Sequence, residues 1–147
     1  MGLDMYLDRV YYLGDNHAIA GITGTVDIYK KGERLPIDLS SISEIHVRVA
    51  YWRKAWAIHR WFISHVDGVD DCRPVGLEGE ELVELRDSCE QILAAPEGKE
   101  RDELAMKLIP PYDGEPTDEW YYASLKDTVK MLDGVTEDEQ FEYVASW

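Results

Sequence analysis

The sequence predicts an α+β domain, an antiparallel sheet that includes strands from both chain ends with about four helices packed on it. Three observations predict this. Alternating apolar strands lie near each terminus, helical apolar stripes fill the middle, and the order runs strands, then helices, then one last strand. An amphipathic strand left alone would keep its apolar face wet, so the two end strands are expected in one sheet.

The elements follow in order. Leu3, Met5 and Leu7 alternate with Asp4, Tyr6 and Asp8, as in a half-buried strand, and Gly14-Asp15-Asn16 ends it. Thr23 to Tyr29 and Leu35 to Leu39 flank Lys30-Lys31-Gly32-Glu33, which predicts a hairpin turning at glycine. Pro36 makes the second arm an edge or loose strand. Ile45, Val47, Val49 and Tyr51 alternate with His46, Arg48 and Ala50 in another strand.

A helix is expected from Trp52 to Val66. Ile58, Phe62, Ala55, Val66, His59, Trp52, Ile63 and Trp56 fall on one arc of about 160°, and Asp67-Gly68 stops it. A second helix spans Glu78 to Ala94 on a stripe of Leu82, Leu85, Cys89, Ile92 and Leu93. A third runs from Glu100 to Leu108 before Pro110-Pro111. The fourth is capped by Thr117, carries Tyr121, Leu125, Val129 and Leu132, and ends at Gly134. Phe141, Tyr143, Ala145 and Trp147 alternate in the last strand, so Trp147 is expected to pack on the first helix or first strand. Arg9, Arg48 or Arg53 is expected to meet the terminal carboxylate.

Residues 1–147, 45% hydrophobic, are expected to form a single domain with a core that needs no staples. Cys72 and Cys89 match no zinc or redox spacing and read as reduced thiols. No apolar run approaches the ~18 residues of a membrane span, and Asp4 stands where a signal peptide would be positive. Tyr6 in place of Ser or Thr rules out the myristoylation pattern. The expectation is a soluble, cytoplasmic protein with no membrane partner.

The net charge is −15, divided unevenly. Residues 1–66 carry a net +1 and residues 67–147 a net −16. Such an excess repels nucleic acid, so direct nucleic-acid binding is not expected. It would suit a basic protein partner or mimicry of DNA, or it is a solvated surface that maintains solubility.

Against that background one segment stands out. Tyr51 to Phe62 holds three of the five tryptophans, one of the four histidines and three cations. Arg53 and Arg60, two helical turns apart with Trp56 between, would clamp a phosphate or carboxylate and stack on a base. Salt bridges to the acidic half are the alternative. His59 lies within the apolar arc, either lining a pocket or bonded to a core carbonyl or carboxylate. Trp61 and Trp120 point off their helix stripes, Trp120 about 140° from Leu125, and need a second packing layer, a ligand or a partner.

Metal and catalytic patterns are weak. His59 and His65 do not share a helix face, and Asp67, Asp70 and Asp71 lack calcium-loop spacing, so no metal or cofactor is expected. There is no Gly-x-Ser-x-Gly elbow, and Asp71 would oppose a reactive thiolate at Cys72. Were the protein an enzyme, His59 and Asp71 would be the residues to test.

Several segments resemble one family. These are Gly2-Leu3-Asp4-Met5-Tyr6-Leu7, Val49 to Ala55 with Ile58-His59 and Trp61-Phe62, Asp70-Asp71-Cys72, Asp118 to Tyr122 with Leu125, and Ala145-Ser146-Trp147. Together they resemble a family of small proteins of tailed bacteriophages and bacteria. The resemblance implies a small phage-type protein and no particular activity. The chain departs from the family pattern at Arg73-Pro74-Val75-Gly76, where a Gly-Glu-Tyr-Tyr run is typical. The functional expectation is a non-enzymatic binding protein for a small anionic aromatic ligand, such as a nucleotide. Its contacts would be Tyr51, Arg53, Lys54, His59, Arg60, Trp61, Trp120 and Tyr121.

Overall fold

A computed structural model describes residues 2–12, 27–37, 41–65 and 70–147. The described residues form ten elements: β1 (Asp4–Tyr12), β2 (Tyr29–Lys30), β3 (Glu33–Arg34), β4 (Glu44–Arg53), α1 (Trp56–His65), β5 (Val75–Glu78), α2 (Gly79–Ala94), α3 (Lys99–Leu108), α4 (Glu119–Met131) and β6 (Gln140–Ser146). The main sheet has the order β4-β1-β6-β5, with every neighbouring pair antiparallel. The strands nearest the two chain ends share one sheet, as the end-strand patterning predicts, and form its central pair. Among the described residues four helices accompany the sheet in one α+β domain.

Cross-strand partners share a face, so the register defines both faces. Met5 lies between Trp52 and Ala145, and Leu7 between Ala50 and Tyr143. These side chains are buried together with Ile58 and Phe62 of α1, Leu82, Leu85 and Ile92 of α2, and Leu125 of α4. That is the helix-covered face and the core, where each large aliphatic or aromatic side chain contributes about 1.5–3 kcal/mol by burial. The indole Nε1 of Trp52 donates to Thr128 Oγ1 at 2.9 Å, joining sheet to α4 inside that core.

The opposite face carries Asp4, Tyr6 and Asp8 of β1 with Arg53, Tyr51, Arg48 and His46 of β4 and Glu142 and Val144 of β6. Its composition follows from a β-bulge. Between Leu7 and Asp8 the pairing moves from Ala50 to Arg48, so Val49 is the extra residue on β4. A bulge re-aims every residue beyond it. Ala50 and Trp52 face the helices, whereas Arg48 and His46 turn to the outer face. The expected alternation, with Ile45, Val47, Val49 and Tyr51 as one apolar set, is thereby corrected: Tyr51 lies on the outer face and is 46% exposed.

Several element boundaries differ from expectation. Strand β4 continues through Trp52 and Arg53, because Met5 and Asp4 of β1 still pair with them. Helix α1 begins only at Trp56, after a bend at Lys54 with positive φ (56°). Arg53 and Arg60 are therefore not two turns of one helix. The strand β5 was not anticipated. It is four residues long, pairs with β6, and hands over directly to α2 through a capping box between Glu78 and Glu81. Asp118, not Thr117, caps α4: its carboxylate accepts from the Tyr121 N–H at 2.9 Å, while Thr117 donates to Asp102. The hairpin turns at Lys31-Gly32, both with positive φ, but its ladder is only two residue pairs long. The expected strand-ending Gly14-Asp15-Asn16, the stop at Asp67-Gly68, and Thr23 to Val26 and Asp38-Leu39 of the hairpin arms lie outside the described residues.

Candidate functional site

The eight residues expected to bind ligand do not converge on one place. His59, Trp61 and Tyr121 are core residues. The Trp61 ring stacks on His65 at 4.0 Å and meets Phe62 edge-on at 5.4 Å, so a second packing layer accounts for its position off the main stripe. The Tyr121 hydroxyl donates to the Ile109 carbonyl at 2.6 Å, and burial pushes its phenol well above the usual range. Arg60 stands apart, donating to the Pro111 carbonyl at 3.3 Å with Asp113 at 3.7 Å. Trp120 is 82% exposed in the first turn of α4.

His59 is 2% exposed and bonded at both ring nitrogens. Tyr143 Oη lies 2.6 Å from Nδ1 and Asp70 Oδ1 lies 3.0 Å from Nε2. Asp70 is half exposed, and its carboxylate is an acceptor, so Nε2 carries the proton. Burial pushes the Tyr143 phenol far above its ordinary value, so it stays O–H beside Nδ1. The series carboxylate–imidazole–hydroxyl has the connectivity of a hydrolytic triad, but its hydroxyl end lies in the core and its carboxylate end at the surface. The adjoining cavity, lined by Cys72, Arg73 and Trp147 among others, is about 10 Å³ and holds at most a single water. This is a tether of the Asp70 segment to the core. Asp71, named with His59 as a residue to test for catalysis, pairs with Arg73. Trp147 meets the His59 ring edge-on at 5.7 Å, as its packing on the first helix requires, yet remains 44% exposed. Arg9 and Arg48, expected near the terminal carboxylate, pair with Glu139 and Asp8.

The other three expected residues, Tyr51, Arg53 and Lys54, do come together, at one corner of the outer sheet face. Tyr6 joins them: its ring centroid is 5.3 Å from that of Tyr51, tilted by 37°. The Arg48 guanidinium covers Tyr6 at 4.5 Å and is held by Asp8. The Tyr51 hydroxyl donates to Asp4 Oδ1 at 2.5 Å, and this bond raises the phenol's pKa. Gly2 lies against the stems of both cations: a Cβ there would come 3.4 Å from Lys54 Cε and 3.8 Å from Arg53 Nε.

Arg53 is the informative cation. The chain has twice as many carboxylates as cations, and each of the other seven arginines lies within 4.0 Å of one. Among the described residues Arg53 has no ion pair, and neither has Lys54. Sequence reasoning missed Tyr6 and Asp4, because only the β1–β4 register brings them beside Tyr51 and Arg53.

Among the described residues no group of three or more His, Cys, Asp or Glu side chains is placed to hold a metal ion. No described helix is long and apolar enough to cross a membrane. The fold and this corner define a small α+β protein with an aromatic and cationic patch on the sheet face opposite the core. No protein-family model, curated protein or solved structure matches the chain.

Proposed function

We propose that the protein binds a small anionic aromatic ligand, of the nucleotide kind, at the outer-face corner formed by Tyr6, Tyr51, Arg53 and Lys54. One observation carries the reading: Arg53, without a carboxylate partner among the described residues of a strongly acidic chain, stands beside the exposed Tyr51 ring and its neighbour Tyr6. An unpaired guanidinium gives a phosphate charge-assisted hydrogen bonds, and the Tyr51 ring gives a base a stacking surface. The reading is binding without turnover. Sequestration of a nucleotide signal would fit the resemblance to phage proteins.

Calorimetric titration with AMP, GMP, CMP and UMP tests this. At least one should bind tighter than about 1 mM, equivalent to roughly −4 kcal/mol, and lose that affinity in Arg53→Ala. Absence of binding by all four sinks the proposal.

A second reading is favoured by Trp120. This indole stands almost fully exposed in the acidic half of the chain, with Asp118 and Glu119 beside it in sequence. A basic protein segment would find both a cation–π surface and carboxylates there. Binding of such a partner should fall steeply with salt and be lost in Trp120→Ala. A partner indifferent to both would exclude this face.

A further inference from the structure

Resting on the ligand-binding reading above, we infer that the corner takes a nucleoside monophosphate whose base carries an exocyclic amine, and that it rejects both polynucleotide strands and amine-free bases. The inference comes from what surrounds the Tyr51 ring and from how few cations the face leaves free.

Among the described residues this face leaves one anion site. Arg53 and Lys54 are adjacent and without ion pairs there, whereas Arg48 is occupied by Asp8 on one side and Tyr6 on the other. Asp4, Asp8 and Glu142 lie on the same face. A second phosphate, or the next nucleotide of a strand, would meet carboxylates instead of cations. Arg53 and Tyr51 are alternate residues of β4, about 6.6 Å apart at roughly 3.3 Å per residue. That is the reach of one sugar between a stacked base and its own 5′-phosphate.

The base edge is read by Asp4. Its Oδ1 accepts from the Tyr51 hydroxyl, so the carboxylate lies at the rim of the ring on which a base would stack. Oδ2 has no partner among the described residues, and an ionised carboxylate only accepts hydrogen bonds. An adenine-type amine directed at Oδ2 would be satisfied. The 6-oxo group of hypoxanthine would face a second acceptor there and be repelled. The stacking surface is one-sided: Tyr6 is already capped by Arg48, leaving Tyr51 as the open ring.

The test is calorimetry on the intact protein with AMP, IMP and a ten-nucleotide adenylate strand, repeated with Asp4→Asn. AMP should bind about tenfold tighter than IMP, the size of one charge-assisted hydrogen bond. The strand should bind no tighter per site than AMP. In Asp4→Asn the side-chain amide offers a donor, so the preference should shift towards IMP. Equal binding of AMP and IMP by the unmodified protein would overturn the Asp4 assignment while the ligand-binding reading stood. A strand binding tenfold tighter than AMP would overturn the single-phosphate assignment in the same way. If no nucleotide binds tighter than about 1 mM, the ligand-binding reading fails and this inference with it. The AMP and IMP comparison needs no variant, so a folding defect in Asp4→Asn would not rescue it.

Discussion

Asp4 and Arg53 stand opposite each other across β1 and β4, yet they form no ion pair. The Asp4 carboxylate turns instead to the Tyr51 hydroxyl, 2.5 Å away. A pairing that the register makes available is declined in favour of a bond that fixes an aromatic ring and leaves the guanidinium without an ion pair among the described residues. Under the proposed function, that guanidinium receives the anion.

Removing Arg53 should therefore separate stability from binding. Arg53→Ala deletes no ion pair, so the melting temperature should stay within about 1–2 °C, as for an ordinary surface substitution of ±0.5 kcal/mol. Nucleotide binding should weaken by about 2 kcal/mol, the worth of a charge-assisted bond. A thermal scan alongside calorimetry checks both halves.

The tether at His59 predicts the reverse. Tyr143→Phe leaves the buried Nδ1 without its hydrogen-bond partner and should cost about 1–3 kcal/mol. At this size each kcal/mol lowers the melting temperature by about 2–4 °C. Ligand affinity at the outer face should not change, because the two sites lie on opposite faces of the sheet. Unaltered melting would mean that the Tyr143–His59 bond does not stabilise the fold.

His46 should give the protein a pH-dependent edge. Its hydrogen bond to Glu44, with the nearby charge of Glu142, raises its pKa above the ordinary 6.5 despite slight desolvation. A raised folded-state value means the stabilisation is complete below pH 6.5 and is lost as pH rises through the folded value. His46→Gln should flatten the stability profile above pH 6.5, and salt should weaken the effect because the group is exposed. An NMR titration of the His46 ring protons reads the shift directly. A midpoint at or below 6.5 would contradict it.

The start of α4 offers a paired test. Asp118→Ala removes the side chain that caps the Tyr121 N–H and should cost about 1 kcal/mol. Thr117→Ala should leave the cap intact and cost less, losing only its bond to Asp102. Denaturant melts of the two variants should rank in that order.

Gly79 opens α2 where no side chain fits. A Cβ there would lie 1.8 Å from the Thr136 carbonyl oxygen, and its own N–H already donates to the Glu139 carbonyl at 2.8 Å. Gly79→Ala must push apart the start of α2 and the turn before β6. The expected cost is about 1–3 kcal/mol or more, seen as a lower urea midpoint with an unchanged slope.

The sequence by itself determined the elements whose signal is local. Leu3-Met5-Leu7 and Phe141-Tyr143-Ala145 alternate because one face of each strand is buried, and that period marks them as partners for a core. Helix α2 is equally legible, since Leu82, Leu85, Cys89 and Ile92 repeat at helical spacing and all are buried. What only the tertiary structure decided is where neighbouring strands register. The Val49 bulge leaves no mark in composition, yet it sends Tyr51, Arg48 and His46 to the outer face and Trp52 to the core. Four residues sufficed for β5 because β6 supplies a ladder, which no local pattern announces. Tyr51, Arg53 and Lys54 were legible as an aromatic and basic cluster, but Tyr6 and Asp4, some forty-five positions away, were not. A site made of cross-strand neighbours exists only once the hydrogen-bonded register is fixed, and register is a property of two strands together, not of either sequence alone.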